Sequence, residues 1–234
     1  MARSQTPFYV AIGVIVVAGI VFLVTKANRP SISIPANVVV TAADTSGFRG
    51  YILGSPSAPV EVTEYADFEC PHCAVFDQVQ FPDIKARLID AGKLRWRFRD
   101  YPIDNLHSDA RLAAHAAACA NDQNKFWEMK VQLFARQNDW ALQKNAESVL
   151  ADIAKSIGLD VNAWTDCMKS AKYAGRIQAS FDEGNKVGVQ STPNFLVAGR
   201  IYDQMTADQM VKLVDSLITA QPRSGPPAAP VTGQ

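Results

Sequence analysis

The chain has 234 residues, 48% of them hydrophobic, and its 23 basic and 23 acidic side chains cancel to a formal charge of zero. That length and composition describe one domain of ordinary size with appendages, apolar enough to build a core. Balanced charge, with no basic stripe or arginine-aromatic cluster outside Arg95 to Arg99, argues against nucleic acid as a partner.

At the N-terminus, Phe8 to Val24 carries no charge and is rich in branched apolar residues, interrupted only by Gly13 and Gly19. A spanning helix needs roughly 17 to 25 such residues, a cleavable signal about 7 to 15 followed by a small-x-small site. No Ala-x-Ala follows Val24, so residues 1–25 read as a membrane anchor, or an uncleaved signal, touching lipid through residues 8–24. Arg3 on one side against Lys26 and Arg29 on the other leaves the positive-inside rule close to a tie. Four cysteines behind an export-like segment favour an oxidising compartment. The expected location is the cell membrane, single-pass, with the folded domain outside the cytoplasm.

Residues 26–50, rich in Pro, Ser and Ala, read as a linker with one short edge strand at Val38 to Thr41. The domain is expected over residues 51–220, its folded part beginning near Gly54. In the strand Val60 to Ala66, the alternation places Val60, Val62, Glu64 and Ala66 on one face and Glu61, Thr63 and Tyr65 on the other. Glu64 therefore lies on the apolar face. A buried acid there is costly, its pKa is raised by desolvation, and it is placed to relay protons to a neighbouring thiol.

Cys70-Pro71-His72-Cys73 follows directly and sets two thiols one helical turn apart. Pro71 suits the first helical position, where its missing amide costs no hydrogen bond. Cys70 then caps the helix, facing free amides and the positive end of the dipole, which favour its thiolate. Cys73 is expected to be the more buried of the two. A zinc site needs a second ligand pair, and Cys119, Cys167, His107 and His115 are not spaced as one, so neither metal nor cofactor is expected.

Val75, Phe76 and Val79 continue the helix, Pro82 is expected to kink or break it, and Gly92 ends it after Ile84, Leu88 and Ile89. Leu94 to Phe98, alternating with Arg95, Arg97 and Arg99, reads as a strand with one solvated face, parallel to the first. Residues 105–175 are alanine-rich with helical periodicity and read as an insertion of several short helices. Cys119 and Cys167 fall on apolar faces of different helices, either joined across their packing or left as two inert thiols. Asn194 to Val197 returns to strand after Ser191-Thr192-Pro193, and Gly199 turns the chain into Arg200 to Tyr202. Proline opening that strand is compatible with a cis peptide bond. Thr206 and Gln209 form a capping box for a last helix through Ile218, and residues 221–234 read as a disordered tail.

Taken together, Ala66-Asp67-Phe68-Glu69-Cys70-Pro71-His72-Cys73, the inserted Phe126-Trp127-Glu128 and Gly188-Val189-Gln190-Ser191-Thr192-Pro193 resemble the DsbA-like thioredoxin-fold family of extracytoplasmic disulfide oxidoreductases. The resemblance covers roughly Gly54 to Ile218. It implies an α/β thioredoxin fold whose helical insertion separates a βαβ half from a C-terminal ββα half, here with an N-terminal transmembrane helix added. It also implies that Cys70 is the nucleophile, that Cys73 resolves the mixed disulfide, and that Thr192 and Pro193 hold substrate. Glu64 stands where the family's buried acid lies, and a second cysteine pair in some relatives supports joining Cys119 to Cys167.

Pro71 and His72, with Glu64, are expected to tune the thiolate, His72 contributing most, while Asp67 and Glu69 oppose it. The implied reaction donates the Cys70-Cys73 disulfide to cysteine-containing exported proteins, with a membrane reoxidase restoring it. The alternatives are a disulfide reductase or isomerase, a membrane-tethered chaperone or binding module, and a copper carrier using the same two cysteines.

Overall fold

The computed structural model describes residues 14–19 and 32–220. It divides into two units, Met1–Ile32 and Ser33–Gln234. In the first, residues 14–19 are helical. No helix among the described residues is long and apolar enough to cross a membrane. The anchor expected over residues 8–24 falls largely outside the described residues, and the tail 221–234 falls wholly outside them.

The second unit is built on a five-stranded sheet of β1 (Tyr51–Leu53), β2 (Val60–Ala66), β3 (Leu94–Asp100), β4 (Asn194–Val197) and β5 (Arg200–Asp203). The spatial order is β1-β3-β2-β4-β5. β2 and β3 run parallel, Glu64 opposite Phe98, and the remaining pairs are antiparallel. Between β2 and β3 lies helix α1 (71–89). After β3 come α2 (Ala110–Asn121), α3 (Phe126–Ala135), α4 (Gln137–Trp140), α5 (Ala146–Ser156), α6 (Val161–Ser170) and α7 (Ala174–Val187); α8 (Ala207–Ala220) closes the chain.

Strand β2 is central and covered on both faces, as a strand with a parallel neighbour requires. Val60 and Val62, with Leu94, Trp96, Phe195 and Val197, pack on Phe76, Ile84 and Leu88 of α1 and on Met210 and Val214 of α8. On the other face, Tyr65 and Tyr101 pack with Val189 and Phe181. Asp160 caps α6 by accepting from the amides of Asn162 and Ala163, and Thr206 and Gln209 exchange bonds at 2.8 and 3.3 Å to start α8.

The structure corrects several of these expectations. Residues 38–41 form no strand: Val39 is 87% exposed, with no neighbouring strand to cover its branched side chain. The edge strand forms instead at β1, where Tyr51 stacks on Phe126 with ring centroids 3.5 Å apart. The presumed linker also joins the fold before residue 51, through buried Ile34, the Asn37 amide donating to Gln178 Oε1 at 3.0 Å, and Phe48 lying under Arg176 at 4.2 Å.

Pro82 does not break α1. The chain stays helical through Pro71–Val75, Phe76–Gln80, Phe81–Ile84 and Lys85–Ile89, with wide π turns in the second and fourth segments. The Phe81 amide reaches back five residues to Phe76 O, a widening that accommodates both the ring and the missing donor of Pro82.

The arginine face of β3 is not open to solvent. Arg95 pairs with Glu61 at 2.8 Å, while Arg97 and Arg99 each meet Glu183 at 2.5 Å. Glu183 belongs to α7, which extends the helical layer past the expected end near residue 175. Gly184 lets α7 lie this close, since a Cβ there would stand 2.6 Å from the Tyr101 ring.

His115 joins the two distant cysteines, whose sulfurs are bonded to each other. It lies one turn before Cys119 on α2, and α6 brings Cys167 alongside, so that one ligand atom from each lies within 4.8 Å of the others.

Candidate active site

Where β2 ends, the chain turns through Asp67-Phe68-Glu69, and the Cys70 amide donates to Asp67 O at 3.1 Å. Cys70 is extended (φ −73°, ψ 122°) and caps α1, with Pro71 at the first helical position. Its backbone carbonyl accepts from Ala74 N at 3.2 Å and from Gln137 Nε2 at 3.1 Å; the same Gln137 nitrogen donates to Phe68 O at 2.7 Å. Gln137 comes from the insertion and is buried, so the helical layer holds the turn from behind.

Cys70 is 6% exposed and Cys73 fully buried, both as free thiols. The Cys70 Sγ stands 3.4 Å from the carbonyl oxygen of Thr192, on the loop whose Thr192-Pro193 bond is cis. A hydrogen bond from the Cys73 thiol, set against the cost of burial, lowers the Cys70 pKa to about 5, with further help from the amides of Cys73 and His72. Burial pushes Cys73 well above the ordinary thiol value, and the neighbouring Cys70 thiolate and Glu64 add to that rise. One sulfur is thus ready to attack or to leave, while the other holds its proton.

His72, the residue expected to tune most, reaches Cys70 through its place at the helix start. Its side chain is exposed, and its backbone amide bonds to Cys70. The free amides of the first helical turn already point at the cap position, whatever side chain stands there.

Glu64 is fully buried behind the dithiol, where it accepts from Trp96 Nε1 at 3.0 Å. Burial raises its pKa, with Lys130 pulling the other way. Lys130 of α3 is the cation of this interior: its Nζ, fully buried, donates to Asp77 of α1 and lies 3.9 Å from Glu64 Oε2, with the Phe81 ring 4.2 Å away. The helical period signals only its aliphatic stem. Its pairing across three elements has no local signature.

Asp67 and Glu69 are not free to oppose a thiolate. Asp67 is 1% exposed and accepts from Glu69 N and Ile103 N at 2.8 Å and from His107 at 2.7 Å. Burial raises the pKa of Glu69, which accepts from Asp109 N at 2.7 Å. Cys119 and Cys167 lie apart from this site, their sulfurs bonded at 2.00 Å between α2 and α6. Beside them His115, its pKa lowered by burial to about 4, accepts the Tyr173 amide on Nε2 at 3.3 Å and so carries its proton on Nδ1, facing Met168 Sδ at 3.4 Å.

Comparison with known proteins follows the same residues. A thioredoxin family model matches residues 48–216. Disulfide bond formation protein D of Bacillus subtilis (strain 168) is 27% identical over 151 residues, which are 64% of this chain and 68% of that protein. The Na(+)/H(+) antiporter NhaA 3 of Salinispora tropica is 34% identical over 152 residues, 65% of this chain but 22% of the antiporter, so the chain spans about a fifth of that relative's length. The crystal structure of oxidised BdbD from Bacillus subtilis has the same fold, with a TM-score of 0.67 and 23% identity, covering 80% of this chain and all of that one. With its dithiol at the mouth of α1 and the Thr192-Pro193 loop opposite, the chain belongs to the thioredoxin family, among the DsbA-like disulfide oxidoreductases.

Proposed function

We propose that this chain donates its Cys70-Cys73 disulfide to the thiols of exported proteins outside the cytoplasmic membrane and is returned to the disulfide by a membrane reoxidase. The observation that carries the reading is the asymmetry of the pair: Cys70 is held near 5 while Cys73 is pushed up. A stabilised thiolate makes the reduced form favourable and the disulfide easy to give away. In this scheme a substrate thiolate attacks Cys70 Sγ and releases Cys73, a second substrate thiolate closes the substrate disulfide and releases the Cys70 thiolate, and during reoxidation Cys73 resolves the mixed disulfide that Cys70 forms with the reoxidase. Glu64 serves as the proton relay for Cys73, and Thr192 and Pro193 present backbone to the substrate. The apolar run at residues 8–24 supports tethering to the membrane, and the Cys119-Cys167 bond supports an oxidising compartment.

The test is the equilibrium of the full chain with glutathione, read by alkylation and mass. A potential near about −120 mV marks a disulfide donor, and one near about −270 mV marks an electron donor. Failure of the pair to exchange at all removes the reading.

A further inference from the structure

Two loops bond directly to the turn that precedes the dithiol, and each carries a leucine that the fold leaves uncovered. In the loop after β3, Ile103 N donates to Asp67 Oδ2 at 2.8 Å and Asp109 N to Glu69 Oε2 at 2.7 Å; Leu106 lies between them and is 67% exposed. In the helical layer, Gln137 donates to Phe68 O and Cys70 O, and Leu142, just beyond α4, is 75% exposed. The loops meet at Asp109, whose carboxylate accepts the Leu142 amide. Among the described residues, no other leucine is as exposed as these two.

Leu142 also stands in the left-handed region, with φ 58°. Its backbone is fixed from both sides: Ala141 N donates to Gln137 O at 2.9 Å, Gln143 N donates to Trp140 O at 3.1 Å, and the buried Trp140 indole donates to Leu133 O at 2.9 Å. Those bonds call for a left-handed residue, and glycine or asparagine would supply it with less strain. The other non-glycine residues with positive φ among those described are Asn37, Asn124, Ala171, Ala198 and Gln204, none of them large and apolar. A leucine here gains little from the fold, since its side chain stands in solvent on a backbone that its own Cβ disfavours. Strain kept beside a reactive group points to a use outside the fold.

We propose that Leu106 and Leu142 form an apolar lip for the dithiol, favouring client segments that carry a large apolar side chain a few residues from the reacting cysteine. The proposal rests on the exchange reading given above and names the class of client it takes. During exchange a client thiolate attacks Cys70 Sγ, the Cys70-Cys73 bond breaks, and Cys73 leaves with the electron pair and takes up a proton. A second client thiolate then attacks the client sulfur of the mixed disulfide and releases the Cys70 thiolate. Between those steps one S–S bond tethers the client, and its neighbouring residues lie on the surface around Cys70.

Glu69 directly precedes Cys70, and Asp109 links it to Leu142, so two side chains separate the lip from the nucleophile. An extended segment advances about 3.4 Å per residue, which brings a side chain about two to five positions from the client cysteine over the lip. Contact there removes apolar surface of both partners from water. Large apolar side chains are buried in folded proteins and exposed in unfolded ones, so the lip favours chains that have yet to fold.

The experiment uses the full chain in its disulfide form, in single turnover, with two-cysteine peptides otherwise built of Ser and Gly. One leucine is placed at successive positions from the first cysteine, or replaced by Ser, and the readout is the ratio of oxidation rate constants for the Leu and Ser peptides. Wild type should favour the best-placed leucine by about tenfold. Leu142→Asn, which accepts the left-handed backbone, should lower the ratio to about threefold, and adding Leu106→Asn should bring it close to one. Leu142→Met should keep most of the preference. A purely structural role would change both peptides alike, so an unchanged ratio in the folded double variant overturns the proposal. A wild-type ratio near one at every position overturns it without any variant. Absence of wild-type exchange with glutathione instead removes the reading on which it rests.

Discussion

Lys130 Nζ lies 3.9 Å from Glu64 Oε2, and both side chains are fully buried. The inserted helical layer thus supplies a cation to the acid behind the dithiol, and the same nitrogen binds Asp77 of α1. Removing one member of a buried charge group leaves the others without compensation, which typically costs about 3 to 5 kcal/mol. Lys130→Met is expected to destabilise the fold by that order, read from chemical denaturation. It should also raise the Glu64 pKa further, because Lys130 is the larger of the two influences that lower it, the Trp96 hydrogen bond being the other.

Glu64→Gln removes the charge that helps hold Cys73 protonated, and with it the base next to Cys73. If Glu64 relays protons, resolution of a Cys70 mixed disulfide by Cys73 should slow by about 10²-fold or more, with the first attack on Cys70 little changed. Trapping the mixed disulfide with acid and following its decay by mass measures this; unchanged decay removes the relay role.

Reduced protein should gain stability with rising pH between about 5 and the unfolded thiol value. The Cys70 pKa is depressed in the folded state, so its contribution is fully present above the unfolded value of 9.0 and lost as pH falls through about 5. Comparing denaturation midpoints of reduced wild type and Cys70→Ala at several pH values isolates the effect. The gap should close toward pH 5, and the alkylation rate of Cys70 should show the same midpoint.

The Cys119-Cys167 bond spans 48 residues and joins α2 to α6. In the chain-entropy model such a loop stabilises by about 4 kcal/mol. The double variant Cys119→Ser, Cys167→Ser should therefore melt earlier, while keeping the low Cys70 midpoint, since neither residue contributes to it. A shifted Cys70 midpoint in a folded double variant would show that the bond also acts on the active site.

Much of the site was legible in local sequence because its causes are local. Pro71 at the first helical position and Cys70 at the cap follow from covalent geometry and the free amides of a helix start. The period-two pattern of Val60 to Ala66 was enough to turn Glu64 inward, and Thr192-Pro193 announced the loop that faces Cys70. Helices were found where apolar periodicity was strong.

What sequence alone could not set depended on partners distant in the chain. Arg95, Arg97 and Arg99 read as a solvated face because alternation does not reveal what covers it, and α7 covers it with Glu183. The helical period sets the aliphatic stem of Lys130 on an apolar face, while the two acids beside its head come from α1 and β2. His107, bonded to Asp67 across 40 residues, joins the active-site turn without any local signature. Local chemistry determined the nucleophile and its helix; tertiary packing decided which charges surround it, because electrostatic interaction depends on distance in space and on burial, and neither is written in a short stretch of chain.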